Sequence, residues 1–134
     1  MINLESPLFT ELATALRDAY PGIFVTGEHV PIPASFPAVS IVEADNATDK
    51  RSRTNSQEEQ FAEVMYEVNV YSNRTQGKKA EARTIISTID TMLLEYGFER
   101  VMLQPIPNLD DATIYRMVGR YRAVVSNNLT IFRR

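Results

Sequence analysis

The sequence predicts an α+β fold on a mostly antiparallel sheet with two packed helices, in the order α-β-β-β-α-β-β-β. Three observations predict it. Residues 61–72 alternate strictly between core-type and mixed side chains, residues 78–96 carry one continuous helical apolar stripe, and the remaining strand-like runs follow one another with only that helix between them.

The first element is a helix from about Pro7 to Tyr20. Ser6 suits the N-cap, Pro7 suits the first helical turn, and Leu8, Leu12, Ala15, Leu16 and Ala19 recur at three- and four-residue spacing until Pro21-Gly22 stops it. Residues 23–26 (IFVT) form a short strand, and VPIPASFP at 30–37 is too rich in proline for a central strand. Strand resumes over Ala38–Ala44. Residues 45–60 hold one apolar side chain, Ala47, and are expected to be a long exposed hairpin loop. In the next strand Ala62, Val64, Tyr66, Val68 and Val70 form the core face. The helix from Lys78 to Tyr96 buries Ala82, Ile85, Ile86, Ile89, Met92, Leu93 and Tyr96, and Gly97 stands where a helix end favours glycine. Strands are then expected over Phe98–Leu103, Thr113–Val125 and Leu129–Arg133, separated by the turn-rich QPIPNLDD and by Asn127-Asn128. No repeat, linker or second domain breaks residues 1–134, which are read as one domain.

The chain has 134 residues, 44% hydrophobic and 23% charged, enough to form a core without disulfide or metal staples. With no cysteine, disulfide scaffolds, zinc knuckles and cysteine nucleophiles are excluded. No apolar run spans a bilayer and the first residues lack the pattern of a signal peptide, so an intracellular place of synthesis and no membrane partner are expected. The formal net charge of -3 argues against a protein that neutralises many phosphates. Its distribution is uneven. Residues 112–134 contain five arginines and no acid, leaving nine basic and seventeen acidic side chains elsewhere. Either these arginines pair with acidic strands beside them, or complementary ends dock between copies.

Enzyme signatures are missing. The lone histidine, His29, has no cysteine to partner, and Asp110-Asp111 is a turn doublet rather than a ligand set. Glu63 and Glu67 lie about 13 Å apart along a strand, too far for a glycosidase pair. Phosphate-binding glycine loops are absent, and sequons at Asn46, Asn73 and Asn128 carry no weight without secretion. The sequence therefore implies no catalytic residue, metal or cofactor. What remains is surface built for contact: Phe61, Met65 and Tyr71 share one parity, as do Ile114, Val118 and Val124, on strands that already supply a core face. Either a helix covers this second face within the chain, or it is an interface between copies, with Glu63, Glu67, Arg116, Arg120 and Arg122 setting register.

The blocks FPAVSIVEADN (36–46), MYEVNVYSN (65–73) leading into GKKAEA, and PIPNLDDATIYRMVGRYRAVVS (105–126) before a TIFRR ending resemble the tail-terminator or tail-completion family of long-tailed phages and prophages. The resemblance spans nearly everything after Ile23. It implies a non-enzymatic virion protein, assembled in the host cytoplasm, that forms a homohexameric ring on the last tail-tube ring, stops polymerisation and joins the head connector. A tail sheath is a further partner if the tail contracts, and DNA passes through the lumen unread. On this reading Phe61, Met65, Tyr71, Ile114, Val118 and Val124, with Arg116, Arg120 and Arg122, belong to the subunit seam or ring wall. Glu63 and Glu67 become lumen acids that repel phosphate, and Lys50, Arg51 and Arg53 anchor a partner-binding arm. The alternatives are a neck stopper that binds the portal side, and, more remotely, a small-molecule-binding protein or enzyme with a pocket near His29 or Asp110.

Overall fold

Seven elements follow the predicted alternation of helix and strand: α1 (Glu5–Ala19), β1 (Phe24–Thr26), β2 (Ala38–Thr48), β3 (Phe61–Ser72), α2 (Lys78–Tyr96), β4 (Glu99–Pro105) and β5 (Tyr115–Ser126). This computed structural model describes residues 1–48 and 61–131. The five strands form one sheet in the order β1-β2-β3-β5-β4. Every pairing is antiparallel except β1 with β2, which run parallel, so the sheet is mixed. The proline-rich stretch 27–37 is the reason: it carries the chain back along the sheet instead of reversing it in a tight hairpin.

Helix α2 has the predicted bounds, and its end explains why. Gly97 adopts φ 107°, its N–H bonds to the Leu94 carbonyl at 3.1 Å, and the Phe98 N–H returns to Leu93 at 2.9 Å, which satisfies the last free carbonyls. Helix α1 begins two residues earlier than expected. Leu4 takes the cap position without a side-chain bond, and Ser6 lies inside the first turn, its carbonyl accepting the Thr10 hydroxyl at 3.0 Å. Strand β2 extends four residues past Ala44 into the polar stretch expected as loop. Across an irregularity between Glu43 and Asp45, Asn46 still pairs with Val64 and Thr48 with Ala62, because ladder bonds need backbone and not apolar side chains. Pro105 is accommodated at the end of β4, an edge strand on which a missing donor costs no ladder bond. The expected last strand is reduced to a bridge between Ile131 and Val125, with 132–134 outside the described residues.

Both helices pack on the same side of the sheet. Leu8, Leu12 and Leu16 of α1 and Ile85, Ile86, Ile89 and Leu93 of α2 meet Val64, Tyr66, Val68, Met117 and Tyr121 in one core. Two buried tyrosines anchor it through their hydroxyls: Tyr66 donates to Glu43 at 2.7 Å, and Tyr121 donates to Asp90 of α2 at 2.7 Å. With both helices on one side, the other side of the sheet has no helical cover.

Candidate assembly surface

The uncovered face is where β3 and β5 set their second parity. Their register places Glu67 opposite Arg120, Met65 opposite Arg122, Glu63 opposite Val124 and Tyr71 opposite Arg116. Charges of opposite sign therefore stand within cross-strand reach, and they pair. Arg120 reaches Glu67 at 3.0 Å, Arg122 bridges Glu99 at 3.0 Å and Glu63 at 3.4 Å, and Arg116 lies 3.9 Å from Glu67. Arg116 is further fixed by its Nε donating to Asn69 Oδ1 at 2.8 Å, with its guanidinium 6.0 Å from the Tyr71 ring centroid. Hydrogen bonding to Glu99, joined by the Glu63 charge, pushes Arg122 above its ordinary pKa and keeps it protonated.

Three arginines and three glutamates thus form two adjacent groups of pairs, Glu67 between Arg116 and Arg120 and Arg122 between Glu63 and Glu99, whose formal charges cancel over the face as a whole. The side chains of Arg122, Glu63 and Glu99 are a third or more exposed, so each such pair adds at most about 1 kcal/mol. Their stronger effect is on register, because a one-residue slip would turn every charge toward the helices.

The structure distributes the sequence-predicted interface residues unevenly. Tyr71 and Val118 are 1% exposed and Ile114 is 5% exposed, all covered within the chain. The cover is not a helix. Phe24 and Phe36 pack with Ala38, Tyr71 and Ile114 in a second small cluster at one end of the outer face. Phe61, Met65 and Val124 are half-buried and lie toward the open end. Glu63 and Glu67 do share the outer face, but the arginines that neutralise them remove the surplus negative charge expected there. Lys50, Arg51 and Arg53 lie outside the described residues.

The sequence reading missed Glu99 and Met102 of β4 on this face; β4 supplies them because Glu99 pairs with Arg122 and Met102 with Arg120. The alternation of β4 is interrupted between Arg100 and Met102, so its side-chain parity could not be read from residues alone. His29 and Asp110 are exposed on separate loops. Among the described residues no three His, Asp or Glu side chains gather as a metal site, and no helix is long and apolar enough to cross a membrane.

These features define a two-layer α+β fold with one helix-covered sheet face and one ion-paired, partly open face. No family profile matches the sequence, and no curated protein sequence matches it. Among solved structures the chain is similar to a chain of the "Virion of native gene transfer agent (GTA) particle", with a TM-score of 0.66 and 18% sequence identity. The likeness covers 92% of this chain and 94% of that one, so the two share a fold from end to end.

Proposed function

We propose that this chain is a non-enzymatic structural protein of a phage-like virion, one that closes the tail tube as a hexameric ring and offers its far side to the head connector. The observation that carries the reading is the end-to-end fold likeness to a chain of a gene transfer agent virion, joined to the sequence blocks that resemble tail terminators. The working mechanism is edge capping. A tube ring presents strands and loops that template the next ring, and a terminator pairs with them while showing a different outer surface. The extended β2–β3 hairpin is suited to reach such a partner, with Lys50, Arg51 and Arg53 in the segment joining its strands. If the outer sheet face lines the lumen, its ion pairs make that wall electrically neutral, so passing DNA is neither held nor repelled.

The test is polymerisation of purified tube protein with this protein added below stoichiometric amounts. Arrest of tube growth, with the protein at tube ends, supports the terminator reading. Binding to a portal complex while tubes elongate normally would reassign it as a neck stopper, and indifference to both would end the virion-joint reading.

A further inference from the structure

We propose that the solvent-facing side of α2 is a self-association surface, on which a second copy of this chain lays its own α2 in antiparallel orientation. The helix turns its apolar stripe to the sheet and leaves a second stripe in water: Ala80, Thr84, Ser87, Thr91 and Leu94 are all exposed and recur at three- and four-residue spacing. Leu94 is 44% exposed, while Leu93 beside it is fully buried. Unlike charges stand at the two ends of this face. Lys79 and Arg83 lie at its start and Glu95 at its finish, with Lys79 and Glu95 about 24 Å apart along the axis. None of the three forms an ion pair among the described residues, whereas Asp90, the other acid of the second half, is held by Arg100 at 3.1 Å.

Their placement works against the helix that carries them. A helix favours acids in its first turn and bases in its last, because its N-terminal end is positive and its C-terminal end negative. Helix α2 starts with Lys78 and Lys79, and its last turn holds Glu95 and no base. Its first-turn acid, Glu81, is engaged by the Ser72 hydroxyl at 2.7 Å and by Arg74 at 3.4 Å. Local helix stability therefore does not account for the order of charges. An antiparallel second copy does: it brings Lys79 and Arg83 of one chain to Glu95 and the carbonyl end of the other, and twofold symmetry makes the contact twice. A parallel copy would set like charge against like, so the charges choose the orientation.

The middle of the face can be dried at little cost. Arg83, Thr84, Ser87, Thr88 and Thr91 line a shallow hollow there. The hydroxyls of Thr84 and Thr88 already donate within the helix, to the Ala80 carbonyl at 2.9 Å and the Thr84 carbonyl at 3.2 Å, so covering them strands no donor. In the antiparallel arrangement Leu94 of each copy comes to the end of the face where Ala80 and Thr84 of the other lie, a large side chain against small ones. Both helices pack on one side of the sheet, so this face points away from the ion-paired sheet surface. A ring built through the sheet leaves it open, and the inference goes beyond the ring reading without resting on it.

Exchanging charges tests the contact, because only complementary copies should pair. Sedimentation of the full-length wild type over a concentration series should show self-association that weakens with salt. Lys79→Glu with Arg83→Glu in one chain, and Glu95→Lys in another, should each weaken it about tenfold or more, and an equal mixture of the two should restore it. Unfolding does not explain such a result, since acid near the start of a helix and a base in its last turn suit the dipole and should hold or raise the melting temperature. The chain has no cysteine, so Ser87→Cys, near the middle of the face, should oxidise to a cross-linked dimer well beyond the exposed control Asn73→Cys. A wild type that stays monomeric at all concentrations, charge variants that associate as the wild type does, a mixture no tighter than its components, or Ser87→Cys cross-linking no better than control would each overturn the contact. Arrest of tube growth by a protein that fails these tests would leave the terminator reading standing.

Discussion

Neutralising the acids of the outer sheet face should turn an indifferent surface into one that binds DNA. In the wild type, Glu63, Glu67 and Glu99 cancel Arg116, Arg120 and Arg122. The triple variant Glu63→Gln, Glu67→Gln, Glu99→Gln keeps the side-chain shapes and leaves three uncompensated guanidinium groups on one face. If each neutralises one phosphate of a duplex, the logarithmic salt slope becomes about -2.7, and affinity falls roughly 40-fold between 50 and 200 mM salt. The fold should survive, since exposed pairs of this kind contribute up to about 1 kcal/mol each, and a melting curve verifies this before binding is measured. The assay is fluorescence anisotropy of a labelled duplex across a salt series. A control variant, Glu11→Gln, Glu28→Gln, Glu95→Gln, carries the same change in total charge away from this face and should bind far less tightly. Wild-type binding with a slope already near three phosphates would refute the reasoning, since the arginines would then be available despite their partners. A triple variant that binds no better than the control would refute it equally.

Two buried tyrosines on opposite sheet faces should respond differently to loss of their hydroxyls. Tyr66→Phe removes a 2.7 Å bond to the Glu43 carboxylate and should cost about 1–3 kcal/mol in urea unfolding, whereas Tyr71→Phe, whose oxygen has no hydrogen-bond partner among the described residues, should be neutral or stabilising. A comparable loss from both would mean that the Glu43 bond adds nothing. Gly119→Ala should destabilise by about 1–3 kcal/mol, because an added Cβ would lie 2.9 Å from the Tyr121 ring and displace the hydroxyl bonded to Asp90; an unchanged denaturation midpoint would show that the ring yields freely. Burial, reinforced by the Glu43 and Asp90 carboxylates, raises the pKa of Tyr66 and Tyr121, so their contribution is complete below the ordinary tyrosine value near 10 and is lost progressively above it. Ultraviolet titration should show these tyrosines ionising only with alkaline unfolding, and their titration at an ordinary value in the folded protein would contradict that burial. Hydrogen bonds from the Thr113 hydroxyl and N–H hold the Asp111 carboxyl below its ordinary range, so the ordering they give the loop is present above that range and is lost as pH falls through the lowered value; Thr113→Val, which removes the hydroxyl bond and keeps the N–H bond, should raise the Asp111 titration, followed by NMR, part of the way back.

Elements whose cause is local were readable from residues alone. Helix α2 announces itself by a stripe at helical spacing and a glycine at its end, and β3 by strict alternation; both have the predicted bounds. The parallel pairing of β1 was not readable, because it depends on where residues 27–37 carry the chain. Nor was the length of β2, whose last residues, Asp45 to Thr48, are held by Met65 to Ala62 of β3 across the intervening segment.

The outer face divides the same way. Alternation alone assigned Glu63, Glu67, Arg116, Arg120 and Arg122 to a second parity of their strands. That they neutralise one another was decided only by the register of β3 against β5, whose residues are about fifty apart in sequence. Cover over Tyr71 and Ile114 is likewise tertiary, since Phe24 and Phe36 come from β1 and the proline-rich loop. Leu109 inverts the lesson: apolar by composition, it is left almost wholly in water because Asn108, beside it, takes the buried position and ties the loop to Pro31. Side-chain periodicity reports which residues can share a face; only the folding together of distant segments decides what that face meets.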